Sequence, residues 1–555
     1  MEKTGTTLEQ WVRWTREEMA YTKLPYVAEY DLRPGEDRMP LWKRAWEKAG
    51  SHAFVLESGK EGRYTFLGLR PNALIRGKGR RAEAIEWGPE EPESGPDGEA
   101  SPAEPAATRR LEGAPLALVR EWLLRHRAPL AEGAPRFAGG AVGFWSYDVA
   151  RSLERLPELA ADDLGLPDYA FLQADELWVV DHRRLALYCC LHVPTPETGD
   201  IEAAYERTAS RAEAMKRLWD EIAASAAEEA GQAFLRAMEE AIEEGRSDGP
   251  LNVEAYEGIR TATSKEDFMK AVRRIQEYIG QGDVFQVNLS LRQSWPIRTA
   301  PEDLYEWLRR INPSPYMSFV RFPDFQLVSA SPELLVKLDG DRMSARPIAG
   351  TRRRGRSPEE DAAMEAELLA SEKERAEHIM LVDLERNDLG RVAAYGTVKV
   401  PELLTVERYS HVMHLVSQVE GKLAPGKDAF DLLAAAFPGG TITGAPKIRT
   451  MEIIEELEPV RRGTYTGSLG WIDYAGNMEF NILIRTMAVQ DGVCHIQAGA
   501  GIVIDSDPER EFYECMNKAK ALWTAVRHGE RYEARHAERH AERHAEWRDE
   551  PRAER

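Results

Sequence analysis

Helical and strand patterns follow one another irregularly along this chain. Helical patterns cover residues 266–280, 362–384 and 445–456, and strand patterns cover 326–330 and 467–472. A doubly wound parallel sheet requires strands and helices to alternate one for one, so this irregular order predicts an α+β fold. Further strand patterns lie nearer the N-terminus, ahead of an Ala- and Glu-rich helical stretch at 201–244, at 53–59, 63–69, 139–148 and 176–181.

Composition divides the chain into three parts. Residues 80–110 are rich in Glu, Pro, Gly and Ala, which bury little surface, and residues 245–250 resemble a connection between domains. Beyond His528 the sequence Arg-His-Ala-Glu recurs from positions 535, 539 and 543 without an apolar face. We predict an N-terminal domain at 1–250 with a disordered insert at 80–110, a second domain at 251–527, and a charged tail at 528–555 that is exposed helix or disorder.

The chain is strongly acidic, with a formal net charge of −21, which argues against nucleic-acid and anionic-membrane partners. No run approaches the ~18 apolar residues of a membrane span, and no apolar signal segment begins the sequence. The cysteines Cys189, Cys190, Cys494 and Cys515 lack the C-x-x-C spacing of a zinc site. These features predict a cytoplasmic protein, in which an anionic substrate needs a local cationic pocket or a metal.

Two distant segments carry carboxylates at one spacing: Glu374 with Glu377, and Glu511 with Glu514. Both segments have helical patterns, so each pair occupies one helical face. Four such carboxylates would suit Mg²⁺, which takes oxygen ligands and few protein groups. Two solvated helices would give the same spacing, but the setting favours a site because His378 follows one pair and Lys518 follows the other.

Two glycine-rich segments lie between the carboxylate pairs. Residues 437–447 open a helical pattern, where backbone N–H groups meet anions, but they lack Walker A spacing. Residues 497–502 follow a strand pattern and hold only the first half of a dinucleotide-binding fingerprint. Each alone is more often a tight turn. Arg485 lies in the apolar, strand-like run 480–486, where a guanidinium needs a partner such as a bound carboxylate.

Taken in order, these motifs resemble the chorismate-utilising enzymes: aminodeoxychorismate synthase component I and anthranilate synthase component I, with isochorismate and salicylate synthases as more distant relatives. The resemblance runs from Leu56 to Lys518. Its most specific segments are 282–290, 346–351, 374–378, 383–391 and 410–414, followed by the glycine-rich segments. It implies mixed or antiparallel β-sheets packed together and flanked by helices.

The resemblance also implies roles for individual residues. Glu377 and Glu514 would ligate Mg²⁺, with Glu374 and Glu511 holding its waters or flanking it, and the ring carboxylate of chorismate would bind this metal. Glu333 would be the general acid, which burial keeps protonated. The other implied catalytic positions are Gln286, His414 and Thr441, and the implied substrate contacts are Gly350, Thr351, Tyr465, Arg485, Gly499, Ala500, Gly501 and Lys518.

Several positions discriminate among members of the family. Isochorismate-forming relatives have a water-activating lysine at the position of Gln286, and an amide cannot act as that base. Ala349 stands where many aminodeoxychorismate synthases carry a nucleophilic lysine and anthranilate synthases have alanine. Five segments look more like aminodeoxychorismate synthases: 286–289, 383–388, 438–444, 465–470 and 480–482. We therefore predict aminodeoxychorismate synthase component I, which serves 4-aminobenzoate and folate biosynthesis, with anthranilate synthase component I as the alternative.

Partners and regulation follow from the same resemblance. No cysteine lies in a G-x-C-x-G nucleophile turn, so a separate glutamine amidotransferase subunit is implied as the ammonia source. An aminodeoxychorismate lyase would act downstream. Six residues resemble the feedback-inhibitory tryptophan pocket of anthranilate synthases, which we expect to be only structural here: Leu56, Glu57, Ser58, Pro315, Tyr316 and Met317.

Two non-enzymatic functions are the remaining alternatives. A regulatory amino-acid-binding protein on the same fold would have lost the metal ligands or Arg485, and all are present. Nucleic-acid binding would use a basic run that lacks interleaved aromatic residues and belongs to an acidic protein, so a solvated loop is favoured. The run consists of Arg346, Arg352, Arg353, Arg354 and Arg356.

Overall fold

The computed structural model of the protein describes residues 2–16, 21–58, 62–88, 105–196, 200–225, 227–247, 258–408 and 412–549. The strands in these ranges are β1 (Glu2–Thr4), β2 (Lys23–Asp31), β3 (Ala53–Glu57), β4 (Tyr64–Gly68), β5 (Ala73–Lys78), β6 (Arg81–Trp87), β7 (Pro105–Glu112), β8 (Gly140–Trp145), β9 (Tyr169–Ala174), β10 (Glu176–Asp181), β11 (Ala186–Pro194), β12 (Arg260–Thr261), β13 (Gln286–Pro296), β14 (Tyr316–Arg321), β15 (Gln326–Ser331), β16 (Leu334–Asp339), β17 (Arg342–Ala345), β18 (Ile348–Arg353), β19 (Lys399–Arg408), β20 (Val412–Lys422), β21 (Gly444–Ala445), β22 (Ser468–Asp473), β23 (Met478–Asn481), β24 (Thr486–Gln490) and β25 (Val493–Ile502).

The helices in the same ranges are α1 (Leu8–Arg16), α2 (Lys43–Lys48), α3 (Pro115–Leu124), α4 (Ala150–Leu153), α5 (Ile201–Ser225), α6 (Glu229–Ser247), α7 (Lys265–Gln281), α8 (Pro301–Ile311), α9 (Pro358–Ala370), α10 (Glu372–Gly390), α11 (Ala429–Ala436), α12 (Lys447–Leu457) and α13 (Pro508–Asp549). Across the described ranges, none of these helices has the length and apolar character to cross a membrane.

The strands form two large antiparallel sheets, which confirms the predicted α+β class. The first sheet has 13 strands in the order β1-β2-β11-β10-β4-β3-β14-β15-β24-β25-β13-β12, with β21 beside β13. The second has 12 strands in the order β18-β20-β17-β16-β23-β22-β8-β9-β5-β6-β7, with β19 beside β20.

The sheets pack face to face, with helices on both outer sides. Along β10, Leu177 and Val179 enter the core between the sheets, whereas Trp178 and Val180 face the helices outside the first sheet. This period-two alternation buries both faces of one strand, so such strands are apolar throughout. The core outside the second sheet includes α3, α10, α11 and α12.

Both sheets contain strands from either side of residue 250, so the two predicted domains share their cores. Breaks also divide two predicted helical stretches. The stretch 201–244 forms α5 and α6, and the stretch 362–384 falls within α9 and α10. Between the latter two, the side chain of Ser371 accepts a hydrogen bond from the Glu374 N–H and caps α10, as serine does at helix starts.

The prediction of a disordered insert at 80–110 is wrong at both ends. Residues 81–87 and 105–112 pair as β6 and β7 at the edge of the second sheet. Alternate alanines of β6, Ala82 and Ala84, are buried against this sheet, a pattern that the overall composition conceals. The central residues 89–104 lie outside the described residues.

The predicted tail boundary at 528 is also wrong, because α13 continues through it. His528 is 3% exposed and stacks on Trp307, with ring centroids 5.5 Å apart. Tyr532 lies one turn later and contacts the same tryptophan. The i, i+4 spacing of these two aromatic side chains gives the start of the tail an apolar face. The helix reaches Asp549, and residues 550–555 lie outside the described residues.

Candidate active site

Two connections pass from one sheet to the other at the same place in the fold. Each of them carries a predicted site residue. One crossing runs from β15 to β16 and carries Glu333, and the other runs from β23 to β24 and carries Arg485. The crossings are hydrogen-bonded to each other: Ile482 N–H donates to Glu333 O, and Ala330 N–H donates to Arg485 O, both at 3.0 Å. Two side chains that are distant in sequence thereby become neighbours.

Arg485 does not lie in a strand, so the predicted apolar strand through 480–486 is wrong. Strand β23 ends at Asn481, and Arg485 has a φ of +50°, which a continuous strand excludes. Burial lowers the pKa of its guanidinium, and the nearby Glu333 opposes this effect. Among the described residues Arg485 forms no salt bridge within 4.0 Å, so the guanidinium is available to a bound carboxylate.

Glu333 has the environment of a general acid. Its side chain is buried, and desolvation raises its pKa to about 7, against the opposing effects of Thr441, Arg485 and Lys518. Thr441 follows Gly440 in a short 3-10 turn of the glycine-rich segment 437–447. Its buried hydroxyl has no hydrogen-bond partner of good geometry in the described part of the chain. Both acid and conjugate base of Glu333 are therefore accessible near neutral pH.

Strands β13 and β25 form a floor beside these groups. The segment 497–502 was predicted to follow a strand, but it is the end of β25 itself. Gly499 and Gly501 share one face, whereas the Ala500 side chain points into the opposite core. A Cβ at Gly499 would lie 2.8 Å from the Tyr465 hydroxyl, and a Cβ at Gly501 would lie 2.3 Å from Gln286 Nε2. The glycines therefore give the backbone close access to these side chains.

Lys518 joins the floor to the carboxylate helices. Its Nζ donates to Gly499 O at 3.0 Å and forms a salt bridge with Glu514 at 2.9 Å. Glu511 and Glu514 lie on α13, and Glu374 and Glu377 lie on α10, as their spacing predicts. Glu377 accepts a hydrogen bond from Gln286 Nε2 at 3.1 Å, and Glu374 pairs with Arg352 at 3.0 Å. The two pairs therefore border the same floor.

The donor set fits a hard divalent cation in its chemistry. Desolvation raises the pKa of Glu377, and the charge of Glu374 raises it further. Desolvation likewise raises the pKa of Glu511, with a contribution from Glu514. A cation would relieve this unfavourable charge. In the described ranges, no three acidic, histidine or cysteine side chains are gathered closely enough to form a metal cluster, so the four predicted carboxylates do not converge as one ligand set.

His414 and the turn at Gly350 lie beside Glu374. His414 Nδ1 is 3.2 Å from Gly350 O and 3.0 Å from the Thr351 hydroxyl, and burial lowers the pKa of its imidazole. A Cβ at Gly350 would lie 3.1 Å from Glu374 Oε2. The predicted turn and histidine are therefore brought to the carboxylates. His378 instead packs on the sheet, where its Nε2 is 2.6 Å from the Ser417 hydroxyl.

A buried ionic cluster beside Glu333 was not predicted as part of the site. Lys447 Nζ donates to Asp388 at 2.6 Å, and Glu385 lies one turn before Asp388 on α10. Desolvation raises the pKa of Glu385 to about 8, and the charges of Asp388 and Glu333 act in the same direction. Lys447, Glu385 and Asp388 all lie in segments that carry the family resemblance. Burial was not predicted for them, because a helical charge pattern ordinarily indicates exposed side chains.

A second buried ion pair holds the floor to the glycine-rich segment. Arg462 pairs with Glu458 at 2.7 Å and donates to Asn288 O at 2.6 Å and to Ile442 O at 3.0 Å. The side chains of Arg462 and Glu458 are 1% and 3% exposed. Sequence reasoning missed this pair, because only the fold brings Asn288 and Ile442 to one guanidinium.

The residues of the predicted tryptophan pocket also come together. Met317 on β14 pairs with Glu57 on β3, and Tyr316 pairs with Ser331. The Glu57 carboxylate accepts a hydrogen bond from Tyr305 at 2.6 Å and pairs with Arg309 at 2.8 Å. Leu56, Ser58 and Pro315 adjoin these positions in the chain. The pocket strand β14 therefore borders β15, which ends two residues before Glu333.

The basic run is largely neutralised by neighbouring carboxylates. Arg346 pairs with Glu407, Arg353 pairs with Glu360, and Arg354 pairs with Asp361 at 2.8 Å. Arg352 pairs with both Glu367 and Glu374. A polyanion would have to compete with these pairs, which weighs against a nucleic-acid surface.

Comparison with known proteins gives one family. Residues 53–524 match the chorismate binding enzyme family. The chain is 42% identical over 508 residues to aminodeoxychorismate synthase component 1 of Bacillus subtilis, covering 90% of this chain and 98% of that protein. It is 49% identical over 396 residues to anthranilate synthase component 1 of Thermus thermophilus, covering 71% and 79%. The solved anthranilate synthase component I of Streptococcus pneumoniae superposes with a TM-score of 0.64 at 31% identity, covering 84% of this chain and 93% of that one.

Proposed function

Because the chain belongs to the chorismate binding enzyme family, we propose that it is a component I that aminates chorismate at ring carbon 4, giving 4-amino-4-deoxychorismate for 4-aminobenzoate and folate synthesis. The observation that carries this proposal is the juxtaposition of the buried acid Glu333 with the guanidinium of Arg485 on two hydrogen-bonded crossings. One group can protonate a leaving hydroxyl while the other receives a carboxylate.

The cationic side chains explain how a dianion enters an acidic protein. Arg485 and Lys518 lie near Glu333, since both act on its pKa. We assign them, with Tyr465 and the backbone of 499–501, to the enolpyruvyl carboxylate and its neighbours. The turn at Gly350 and Thr351 would lie beside the ring, with His414 behind it.

The reaction balances without an oxidant or reductant. Ammonia forms a C–N bond at ring carbon 4 while the bond from that carbon to its hydroxyl breaks. Glu333 in its acid form gives its proton to the departing hydroxyl, which leaves as water. The new ring ammonium group loses one proton, and the Glu333 carboxylate recovers it. The pKa of about 7 suits Glu333 to both transfers.

We propose that Glu377 and Glu514 hold Mg²⁺, with Glu374 and Glu511 flanking it. The ion would supply positive charge opposite the ring carboxylate of chorismate. Gln286 supports this assignment because its amide donates to Glu377 and orients that carboxylate. The same amide cannot deprotonate water, which disfavours isochorismate formation at this site.

The nitrogen source is a separate question because this chain has no thiol suited to glutamine hydrolysis. All four cysteines are buried, and desolvation raises the pKa of the Cys190, Cys494 and Cys515 thiols. We therefore propose a glutamine amidotransferase subunit as the partner and an aminodeoxychorismate lyase as the next enzyme. Free ammonium would replace the partner in vitro.

Anthranilate synthase component I is the second candidate, in which amination at carbon 2 is followed by loss of pyruvate. Ala349 favours it, as does the 49% identity to the Thermus thermophilus protein. The longer match to the Bacillus subtilis protein, over 98% of its length, favours amination at carbon 4. So do the five segments that look like aminodeoxychorismate synthases.

The test is to incubate the purified chain with chorismate, Mg²⁺ and ammonium at mildly alkaline pH, with and without an aminodeoxychorismate lyase. Appearance of 4-aminobenzoate only in the presence of the lyase would support the proposal and show that Ala349 is compatible with it. Direct formation of anthranilate would instead identify the second candidate.

A further inference from the structure

Lys447 links the two ends of the glycine-rich segment 437–447 to each other and to α10. Its Nζ donates to Ala436 O, just before the segment, at 3.2 Å, and to Asp388 on α10 at 2.6 Å. The side chains of Lys447 and Asp388 are 14% and 3% exposed, so water screens their attraction only weakly. The whole segment is therefore fastened to α10 where it begins and where it ends.

The middle of this segment is packed between α10 and the crossings that carry Glu333 and Arg485. A Cβ at Gly440 would lie 3.0 Å from Leu384 Cδ1 on α10. On the other side, a Cβ at Gly439 would lie 3.2 Å from Ile482 Cδ1, and the N–H of the same isoleucine donates to Glu333 O at 3.0 Å. The position of the segment relative to Glu333 therefore depends on its seating against α10.

Thr441 is the residue of the segment that reaches Glu333. Its buried hydroxyl has no hydrogen-bond partner of good geometry among the described residues, and its effect is to lower the pKa of the Glu333 carboxyl. A hydrogen bond to the charged form of an acid lowers its pKa, and the bond weakens steeply as its geometry worsens. The acid strength of Glu333 therefore depends on where the segment holds Thr441.

We propose that the Lys447–Asp388 pair is a positioning device for the general acid, which holds the glycine-rich segment so that the Thr441 hydroxyl faces Glu333. This inference rests on the proposed function, because it assigns a role to two residues that act through Glu333 rather than on chorismate itself. It also explains why an ion pair is buried beside the acid.

The pair acts on Glu333 through position rather than through its charge. The groups that face Glu333 from the surrounding elements are Thr441, Arg485, Lys518 and Glu385. The charge of Lys447 acts instead on Asp388 and Glu385, where it opposes the rise in pKa that desolvation causes. Loss of Lys447 would favour the neutral forms of both buried carboxyls, so it would not bring a new charge beside Glu333. A change in the acid strength of Glu333 would then report the displacement of Thr441.

The pH dependence of kcat/KM for chorismate, at a fixed concentration of unprotonated ammonia, tests this role. Lys447→Met keeps the apolar stem and removes the donor, so kcat should fall by about 10- to 100-fold while the KM for chorismate stays within about threefold, as expected when a reacting group is misplaced and substrate contacts remain. Because Thr441 lowers the pKa of Glu333, the alkaline limb of the profile should also move to higher pH. Lys447→Arg restores a donor to Asp388 and should return the limb to its original position.

A double-variant comparison separates positioning from a general loss of stability. Thr441→Val removes the hydroxyl in place and should move the alkaline limb in the same direction. Combining it with Lys447→Met should move the limb no further, because both changes remove the same hydrogen bond. Lys23→Met is the matched control, because Lys23 forms a buried pair with Asp175 and its strand β2 is separated from β15 by several strands of the first sheet. This control should lower the melting temperature and leave the limb unmoved.

A limb that stays in place or moves to lower pH in folded Lys447→Met would overturn the inference, as would a double variant that moves it further than Thr441→Val alone. If Lys447→Met does not fold, Lys447→Gln takes its place under the same criteria, because its amide is one bond shorter and bridges Ala436 O and Asp388 less well. A flat profile of the unsubstituted protein would refute the acid role of Glu333 and the inference with it. Formation of anthranilate would refute only the proposed amination at carbon 4, since the limb would still decide the role of Lys447.

Discussion

Gln286 Nε2 donates a hydrogen bond to Glu377 Oε1 at 3.1 Å, which links the floor of the site to its acidic helices. The amide occupies the first position of β13, and Glu377 lies on the first half of α10. A lysine at this position would place a base and a cation beside the carboxylates. The amide instead leaves the site without a water-activating base there, which favours ammonia as the nucleophile.

Replacement of the general acid should stop the reaction. Glu333→Gln keeps the shape of the side chain and removes its proton, so kcat should fall by roughly 100- to 10,000-fold, the usual contribution of general acid catalysis. Product formation and the circular dichroism spectrum should be measured together. A correctly folded variant with more than half of the normal kcat would contradict the assignment.

The pH dependence of kcat/KM is a second test of the role of Glu333. Because desolvation raises the pKa of Glu333 to about 7, its active acid form dominates below this pH and is lost above it. At a fixed concentration of unprotonated ammonia, kcat/KM should fall about tenfold per pH unit above 7. A profile that remains flat to pH 9 would exclude Glu333 as the required acid.

Loss of the metal carboxylates should abolish turnover without unfolding the protein. Glu377→Gln and Glu514→Gln each remove a proposed Mg²⁺ ligand, and a chelator should have the same effect on the unsubstituted protein. Glu509→Gln is the control on α13, because Glu509 is exposed and pairs only with Lys265 among the described acidic and basic side chains. Normal activity in either ligand variant would disprove the metal assignment.

Tryptophan should have almost no effect on the rate. The Glu57 carboxylate is already engaged by Tyr305 and Arg309, which fits a structural role for this region. Initial rates with millimolar tryptophan should therefore equal those without it. Strong inhibition would instead indicate a regulatory pocket communicating through β14 and β15, and would favour the anthranilate synthase assignment.

The Arg462–Glu458 pair should stabilise the site region. Arg462→Met leaves a buried carboxylate unpaired and frees two backbone carbonyls, so we expect a loss of about 3–5 kcal/mol. For a chain of this length, that corresponds to a melting temperature roughly 3 °C lower. Arg274→Met is the control, because this arginine is 46% exposed and water screens its pair with Glu277, so its melting temperature should stay close to that of the unsubstituted protein. Equal melting temperatures for the two variants would contradict a structural role for the pair.

Local sequence patterns were sufficient to predict the elements that have a clear periodicity. The spacing of Glu374 with Glu377, and of Glu511 with Glu514, predicted two helices, and both pairs lie on helices. The irregular order of strands and helices predicted the α+β class. These features depend on residues three or four positions apart, which a sequence records directly.

Other features depend on contacts that only the folded chain makes. An apolar run such as 480–486 is compatible with a strand or with a crossing between sheets, and Arg485 proved to lie in a crossing. The burial of Glu385 contradicts the usual exposure of charged helix residues.

The most direct test of the account is the release of pyruvate during turnover with ammonium in the absence of any lyase. A coupled lactate dehydrogenase assay measures this release, and chromatography measures the chorismate consumed in the same reaction. Amination at carbon 4 leaves the enolpyruvyl group on the ring, so the account predicts consumption of chorismate with almost no pyruvate. One pyruvate released for each chorismate consumed would contradict it and would identify an anthranilate synthase.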